Sequence, residues 1–203
     1  MNSRDESLTV KQLSDEELVA KAQTGSRRCF NELVHRYSHR LFYFLRPKVT
    51  TDEDTEDLVQ ETFLKVYRNI NRFDSNYKFS TWLYTSAARL AISFYRKKRL
   101  NEGISIFNPS SPDPQEEMIL EEDSKNLWNI AQTLQANQYQ ALWLRYMEEL
   151  SLKEIALVMK KKCVHVRVLL HRARLNLIKQ LNPSASSKEV GKPYPAEENL
   201  LLL

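Results

Sequence analysis

Cations and aromatic rings share one stretch of this chain in a pattern that suits nucleic acid. Arg89, Arg96, Lys97, Lys98 and Arg99 follow one another without an acid, and Trp82, Tyr84, Phe94 and Tyr95 fall in the same predicted helix. Cations hold phosphates, while exposed aromatic faces stack on unpaired bases for about 1–3 kcal/mol per base. The mixture suits melted or single-stranded DNA better than duplex alone. The alternative is a solvated basic helix end, which the helix dipole favours at a C-terminus. A second basic run holds Lys160, Lys161, Lys162, Arg167, Arg172, Arg174 and Lys179, again with no acid. Several of these fall in a long predicted helix, where backbone anchoring and major-groove reading are natural. Asp52, Glu53, Asp54, Glu56, Asp57 and Glu61 form the opposite case. With no compensating cation until Lys65, that face is expected to meet protein or solvent, not phosphate.

Other chemistries lack their residues. The glycines Gly25, Gly103 and Gly191 are scattered, so neither a dinucleotide fingerprint nor a Walker-type phosphate loop can form. Cys29 and Cys163 are too far apart in sequence for a CxxC motif. His35 and His39 stand at i, i+4, a spacing that can bind metal, but no third ligand is evident, and the alternative is a solvated helix face. No metal, cofactor or catalytic group is expected. The 203 residues carry 30 Lys+Arg against 26 Asp+Glu, a net charge of +4. Mean hydropathy is −0.53, and no apolar run approaches the ~18 residues a span requires. The polar N-terminus does not read as a signal peptide, so the expected location is cytoplasmic.

The elements that must position these residues are helices, since proline is confined to Pro47, a central patch and the C-terminal tail. Ser14 and Glu17 predict a capping box opening a first helix that stops at Gly25. A second carries Phe30, Leu33, Val34, Tyr37, Leu41, Phe44 and Leu45 and ends before Pro47; a third starts near Thr51; a fourth is capped by Ser80 or Thr81. Residues 101–124 hold seven acids, three prolines and no Lys or Arg, an acidic flexible linker or an ordinary tether. Beyond it, helices capped by Ser124, Asn137 and Ser151 (a capping box with Glu154) lead to a last helix ending near Leu181. Two helices around a tight turn, the first short and the second long and basic, outline a helix-turn-helix. The fold class is therefore all-α: two small helical bundles, at 14–100 and 124–181, joined by a linker at 101–123 and followed by a tail, 182–203, expected to be disordered.

The blocks DLVQETFLKVYR (Asp57–Arg68), NRF (Asn71–Phe73), FSTWLYTSAARLAISFYRKKR (Phe79–Arg99), RYMEELSLKEIA (Arg145–Ala156) and HRAR (His171–Arg174) resemble the extracytoplasmic-function sigma factors of bacteria. The similarity runs in order from about Leu18 to Leu181. It implies a non-enzymatic initiation factor that binds core RNA polymerase and promoter DNA and is held by an anti-sigma protein. Asp57, Leu58, Gln60, Glu61, Phe63 and Leu64 would dock on the clamp of polymerase. Phe73, Asn76, Lys78, Trp82, Tyr84, Arg89, Tyr95, Arg96, Lys97 and Arg99 would hold the melted minus-ten element, although some of these aromatics, Trp82 above all, must pack instead. Lys161, Lys162, Arg167, His171, Arg172 and Arg174 would bind the minus-thirty-five duplex. The sequence departs from the family pattern at Arg89 for Asn, Gln135 for Pro, Glu149 and Lys160 for Gly, Val164-His165 for Gly-Thr, and Val168-Leu169 for Ser-Arg. Val168 can touch a thymine methyl or pack within its domain, and packing is the expectation.

Overall fold

The computed structural model describes residues 10–49, 51–102 and 122–181. Among these residues there is no strand, and no helix is long and apolar enough to cross a membrane. The acidic linker and the C-terminal tail lie largely outside the described residues.

Helix α1 (Asp15–Gln23) opens with the expected capping box: the Glu17 amide donates to Ser14 Oγ at 3.2 Å and the Ser14 amide to Glu17 Oε2 at 2.7 Å. Gly25, at φ +98, turns the chain where a side chain would be strained. Ser26 then caps α2 (Arg27–Leu45), which passes through Pro47 in a short 3-10 turn. Thr51 caps α3 (Asp52–Arg68), whose first-turn acids meet the positive end of the dipole. Another 3-10 turn, Ile70–Arg72, leads to α4 (Phe79–Glu102). The sequence placed the start of α4 at Ser80 or Thr81, but both lie inside the helix and are buried. Leu33, Leu41, Phe44, Leu58 and Leu83 are fully buried in this first core, each such leucine being worth about 1.5–3 kcal/mol.

The second bundle comprises α5 (Glu122–Ala131), α6 (Ala136–Tyr146), α7 (Leu152–Met159) and α8 (Cys163–Leu181). Ser151 and Glu154 form the second expected capping box. Ser124 and Asn137 are not caps, because each lies within its helix, and Gln135 precedes α6 without a side-chain bond. Trp143 anchors the core, with Trp128 edge-on at 5.1 Å and Tyr139 stacked at 5.8 Å.

The two bundles meet along a seam in which α4 packs on α7 and α6 on the 46–48 turn. Glu148, buried in the α6–α7 loop, accepts from Arg40 Nε at 3.0 Å and from the Tyr84 hydroxyl at 2.5 Å. Gln140 donates to the Phe44 carbonyl at 3.1 Å, the Thr81 hydroxyl donates to Glu154 at 3.2 Å, and Tyr43 stacks on Trp143 at 5.9 Å. Lys48 is partly buried on the same side, where desolvation and the Lys161 charge push its amine down to about 8.

Candidate nucleic-acid interface

Helix α4 carries its cations outward. Arg89, Arg96 and Lys97 are exposed, as is Tyr95, while Leu83, Ala87, Leu90 and Ala91 face the core. Lys98 is different: its ammonium lies 2.7 Å from Asp54 of α3 and sits over the Phe94 ring. Asp52 likewise pairs with Arg46. The acidic block is thus partly neutralised from within the chain, which its sequence spacing did not reveal. Glu53, Glu56, Asp57 and Glu61 remain exposed, in keeping with a face turned to protein or solvent. The Arg99 side chain lies outside the described residues.

A loop preceding α4 brings Asn76 and Lys78 to the surface. Asp74 Oδ1 accepts from the Asn76 backbone amide at 3.0 Å and from its side-chain amide at 2.8 Å, and this local turn fixes the loop tip. Gln23 Nε2 reaches across from α1 to the carbonyls of Ile70 at 3.0 Å and Phe73 at 3.3 Å. Trp82 is half-buried, tilted against Phe73 and Phe79 at 5.4 and 6.3 Å.

Two expected base contacts are corrected here. The Phe73 ring is buried against Phe79 and Trp82 and shapes the loop from below. Tyr84 is fully buried, edge-on to Phe44 at 4.8 Å, and its hydroxyl is taken by Glu148. Burial and then the Glu148 charge raise the Tyr84 phenol well above its ordinary pKa, so it stays a neutral donor.

Within the first bundle, α2 and α3 enclose an apolar groove of about 550 Å³. Phe30, Val34, Val59, Phe63, Leu64 and Tyr67 provide its apolar lining, with Gln60 and Arg27 contributing polar atoms. Leu64 is 55% exposed and Tyr67 39%. Phe30 lies 4.7 Å from Tyr67 and 6.5 Å from Phe63, centroid to centroid. Asp57 and Glu61 are exposed on α3 beside Gln60. Leu58 is corrected: it is 1% exposed and belongs to the core. The α2 wall was missed, because Phe30 and Val34 read from sequence as ordinary core spacing.

In the second bundle, Val166, Leu170 and Ala173 bury one face of α8 at i, i+4, i+7. Arg167, Arg172 and Arg174 are exposed, and His171 is half-buried. Arg174 is held sideways, its Nε donating to the Tyr146 hydroxyl at 2.9 Å with the guanidinium over that ring. Val168 is 41% exposed and Val164 65%, which corrects the expectation that Val168 packs. The turn before α8 is closed by Lys160 in the left-handed region, φ 51 and ψ 46, with the Lys161 amide donating to the Ala156 carbonyl at 2.9 Å. Lys162 is exposed and Lys161 half-buried. In the first bundle, His35 is exposed and His39 rests edge-on to Tyr43 at 4.8 Å, and no cluster of three potential metal ligands exists among the described residues.

The two basic helices and the groove coincide with two known protein families. Residues 33–100 match Sigma-70 region 2, and residues 124–177 match Sigma-70, region 4. The chain is 31% identical over 187 residues to the ECF RNA polymerase sigma-E factor of Haemophilus influenzae, covering 86% of this chain and 98% of the relative. The chain belongs to the extracytoplasmic-function sigma factors. As an alternative sigma factor it initiates transcription. The ECF RNA polymerase sigma factor SigW of Bacillus subtilis is 29% identical, with 80% of this chain and 94% of that relative covered. The sigma factor RpoE of Bartonella quintana, solved in complex with the anti-sigma factor NepR, has the same fold at a TM-score of 0.58 and 22% identity, covering 76% of this chain and 98% of that one.

Proposed function

We propose that this sigma factor docks on core RNA polymerase through the α2–α3 groove and its rim, with Leu64 and Tyr67 offering apolar surface and Asp57, Gln60 and Glu61 the polar edge. Phe63, expected from sequence to dock, is buried and supports the groove from within the core. Arg89, Tyr95, Arg96, Lys97 and Arg99, with Trp82, Asn76 and Lys78, then hold the melted minus-ten element. Arg167, His171 and Arg172 enter the major groove of the minus-thirty-five element, while Lys161 and Lys162 anchor phosphate and Arg174 acts through its contact with Tyr146. The factor supplies no catalytic group, works in the cytoplasm and is held by an anti-sigma protein, as the relative from Bartonella quintana is by NepR. The observation that carries the reading is an apolar groove between α2 and α3, with Leu64 and Tyr67 exposed in its lining and Asp57 and Glu61 exposed on the same helix α3. Like charges placed at a complementary interface cost several kcal/mol. Asp57→Lys with Glu61→Lys should therefore abolish core binding in gel filtration while helicity stays intact. Unchanged core affinity in that double variant overturns the docking assignment.

A further inference from the structure

Helix α8 buries Val166, Leu170 and Ala173, and two further valines stand on its other side. Val164 and Val168 occupy the second and sixth positions of the helix. Each is two residues from Val166, a rotation of about 200° at 3.6 residues per turn, so neither joins the buried face. They lie about 40° from each other on one outward stripe, and both are exposed. The half-buried His171 follows them on that stripe. Arg167 borders it on one edge and Arg172 on the other, both exposed, and the exposed Lys162 stands just before the helix. An apolar strip between cations, at the N-terminal end of the second helix of a helix-turn-helix, is built to enter a major groove. There the cations meet phosphate or guanine, and the apolar carbons meet the one apolar group on the groove floor, the thymine C5-methyl. A second copy of α8 is a poor occupant, since it would set Arg167 and Arg172 against like charges.

The family pattern does not supply this strip, because Val164 stands where Gly is frequent and Val168 where Ser is. We infer that Val164 and Val168 are specificity-determining residues, each seated against a thymine methyl of the minus-thirty-five duplex. Four residues of helix advance about 6 Å, close to two base steps of ~3.4 Å. The upstream element selected by this chain therefore carries two thymines one or two steps apart, on either strand. The inference rests on the sigma-factor reading for the identity of the duplex, and adds the chemical group that is read. Removing one methyl withdraws one buried carbon, worth ~0.8 kcal/mol. At ~1.4 kcal/mol per factor of ten, that is about fourfold in affinity.

The test removes the methyl from the DNA and leaves the protein intact. The full chain bound to core polymerase is offered a randomised duplex library amplified with dTTP, and the same library amplified with dUTP, in which every thymine lacks its methyl. Paired upstream thymines should be enriched from the first library, and each should lose about fourfold of its preference in the second. In single duplexes of the selected sequence, deoxyuridine at one thymine should cost wild type about fourfold and Val168→Ala nothing further. Val164→Ala should pair with the other thymine in the same way. Leu175 is exposed on the same stripe but lies about 16 Å along the axis from Val164, beyond a groove ~12 Å wide. Leu175→Ala should therefore keep the full wild-type response. Equal enrichment from the two libraries overturns the inference, as does a deoxyuridine cost that both valine variants retain. Weaker core retention in the valine variants, with thymine preference intact, overturns it in favour of a protein-facing strip. A wild-type chain that retains no core yet selects methyl-dependent duplexes by itself upholds the valine contacts and defeats the sigma-factor reading instead.

Discussion

Lys160 offers a sharp test of how the helix-turn-helix is aimed. It terminates α7 at φ 51, a backbone conformation in which a β-carbon crowds the following carbonyl oxygen. That crowding costs about 1–2 kcal/mol for an ordinary residue. Glycine would remove the cost but would lose about 0.5–1 kcal/mol through the larger freedom of its unfolded chain. The difference leaves Lys160→Gly more stable than wild type by about 0.5–1 kcal/mol, which for a chain of this size raises Tm by roughly 1–4 °C. Alanine is the control, because it keeps the β-carbon and loses the charge. Lys160→Ala should melt no higher than wild type in the same thermal scan. Equal gains in the glycine and alanine variants would show that the lysine cluster, not the backbone, is the source of the effect. No gain from glycine would refute the strain argument outright. Glu149, also at φ 51, should respond to glycine in the same direction.

Three further outcomes follow from the surfaces described. Arg96→Gln with Lys97→Gln should weaken promoter opening and lower the slope of log affinity against log salt by roughly one ion per lost phosphate contact; normal permanganate reactivity of the melted region would leave these cations as mere solvated charge. Arg167→Ala should relax discrimination at one upstream base pair by about 1–3 kcal/mol, while Lys161→Ala weakens all sequences evenly, and selection against a randomised upstream element separates the two. Burial holds the Glu148 carboxyl above its ordinary range, so the folded chain keeps that proton at a pH where the unfolded chain has released it. Stability contributed by this group falls as pH rises from the usual glutamate value through the folded one, and Glu148→Gln should remove that fall; a wild-type-minus-variant profile that rises with pH would reverse the assignment.

The capping boxes at Ser14 and Ser151 were legible because each is a complete local interaction, with donor and acceptor three residues apart. Ser80, Thr81, Ser124 and Asn137 have the right side chains for caps but fall inside helices, because side-chain type alone does not fix where a helix begins. The basic surface of α4 was visible as a run of charge. Which of its aromatics face outward was not, since Tyr84 and Tyr95 differ by eleven positions and not by residue type. One is fully buried and the other 40% exposed. The seam was beyond reach for a related reason. Arg40 and Glu148 are single charges far apart in sequence, and each looks like ordinary solvated surface until the two bundles meet.

The amide of Gln23 bears on how the promoter-reading module can be transplanted. The Sigma-70 region 2 match begins at residue 33, after α1, yet Gln23 supplies the donors for the Ile70 and Phe73 carbonyls on either side of Arg72. A chimera cut at the family boundary would carry the loop without its tether, and would move the exposed Asn76 and Lys78, proposed above to hold the minus-ten element, along with it. The graft would be judged non-specific when it was merely unsupported. The portable unit of this protein starts at Ser14, a full helix upstream of where alignment would place the cut.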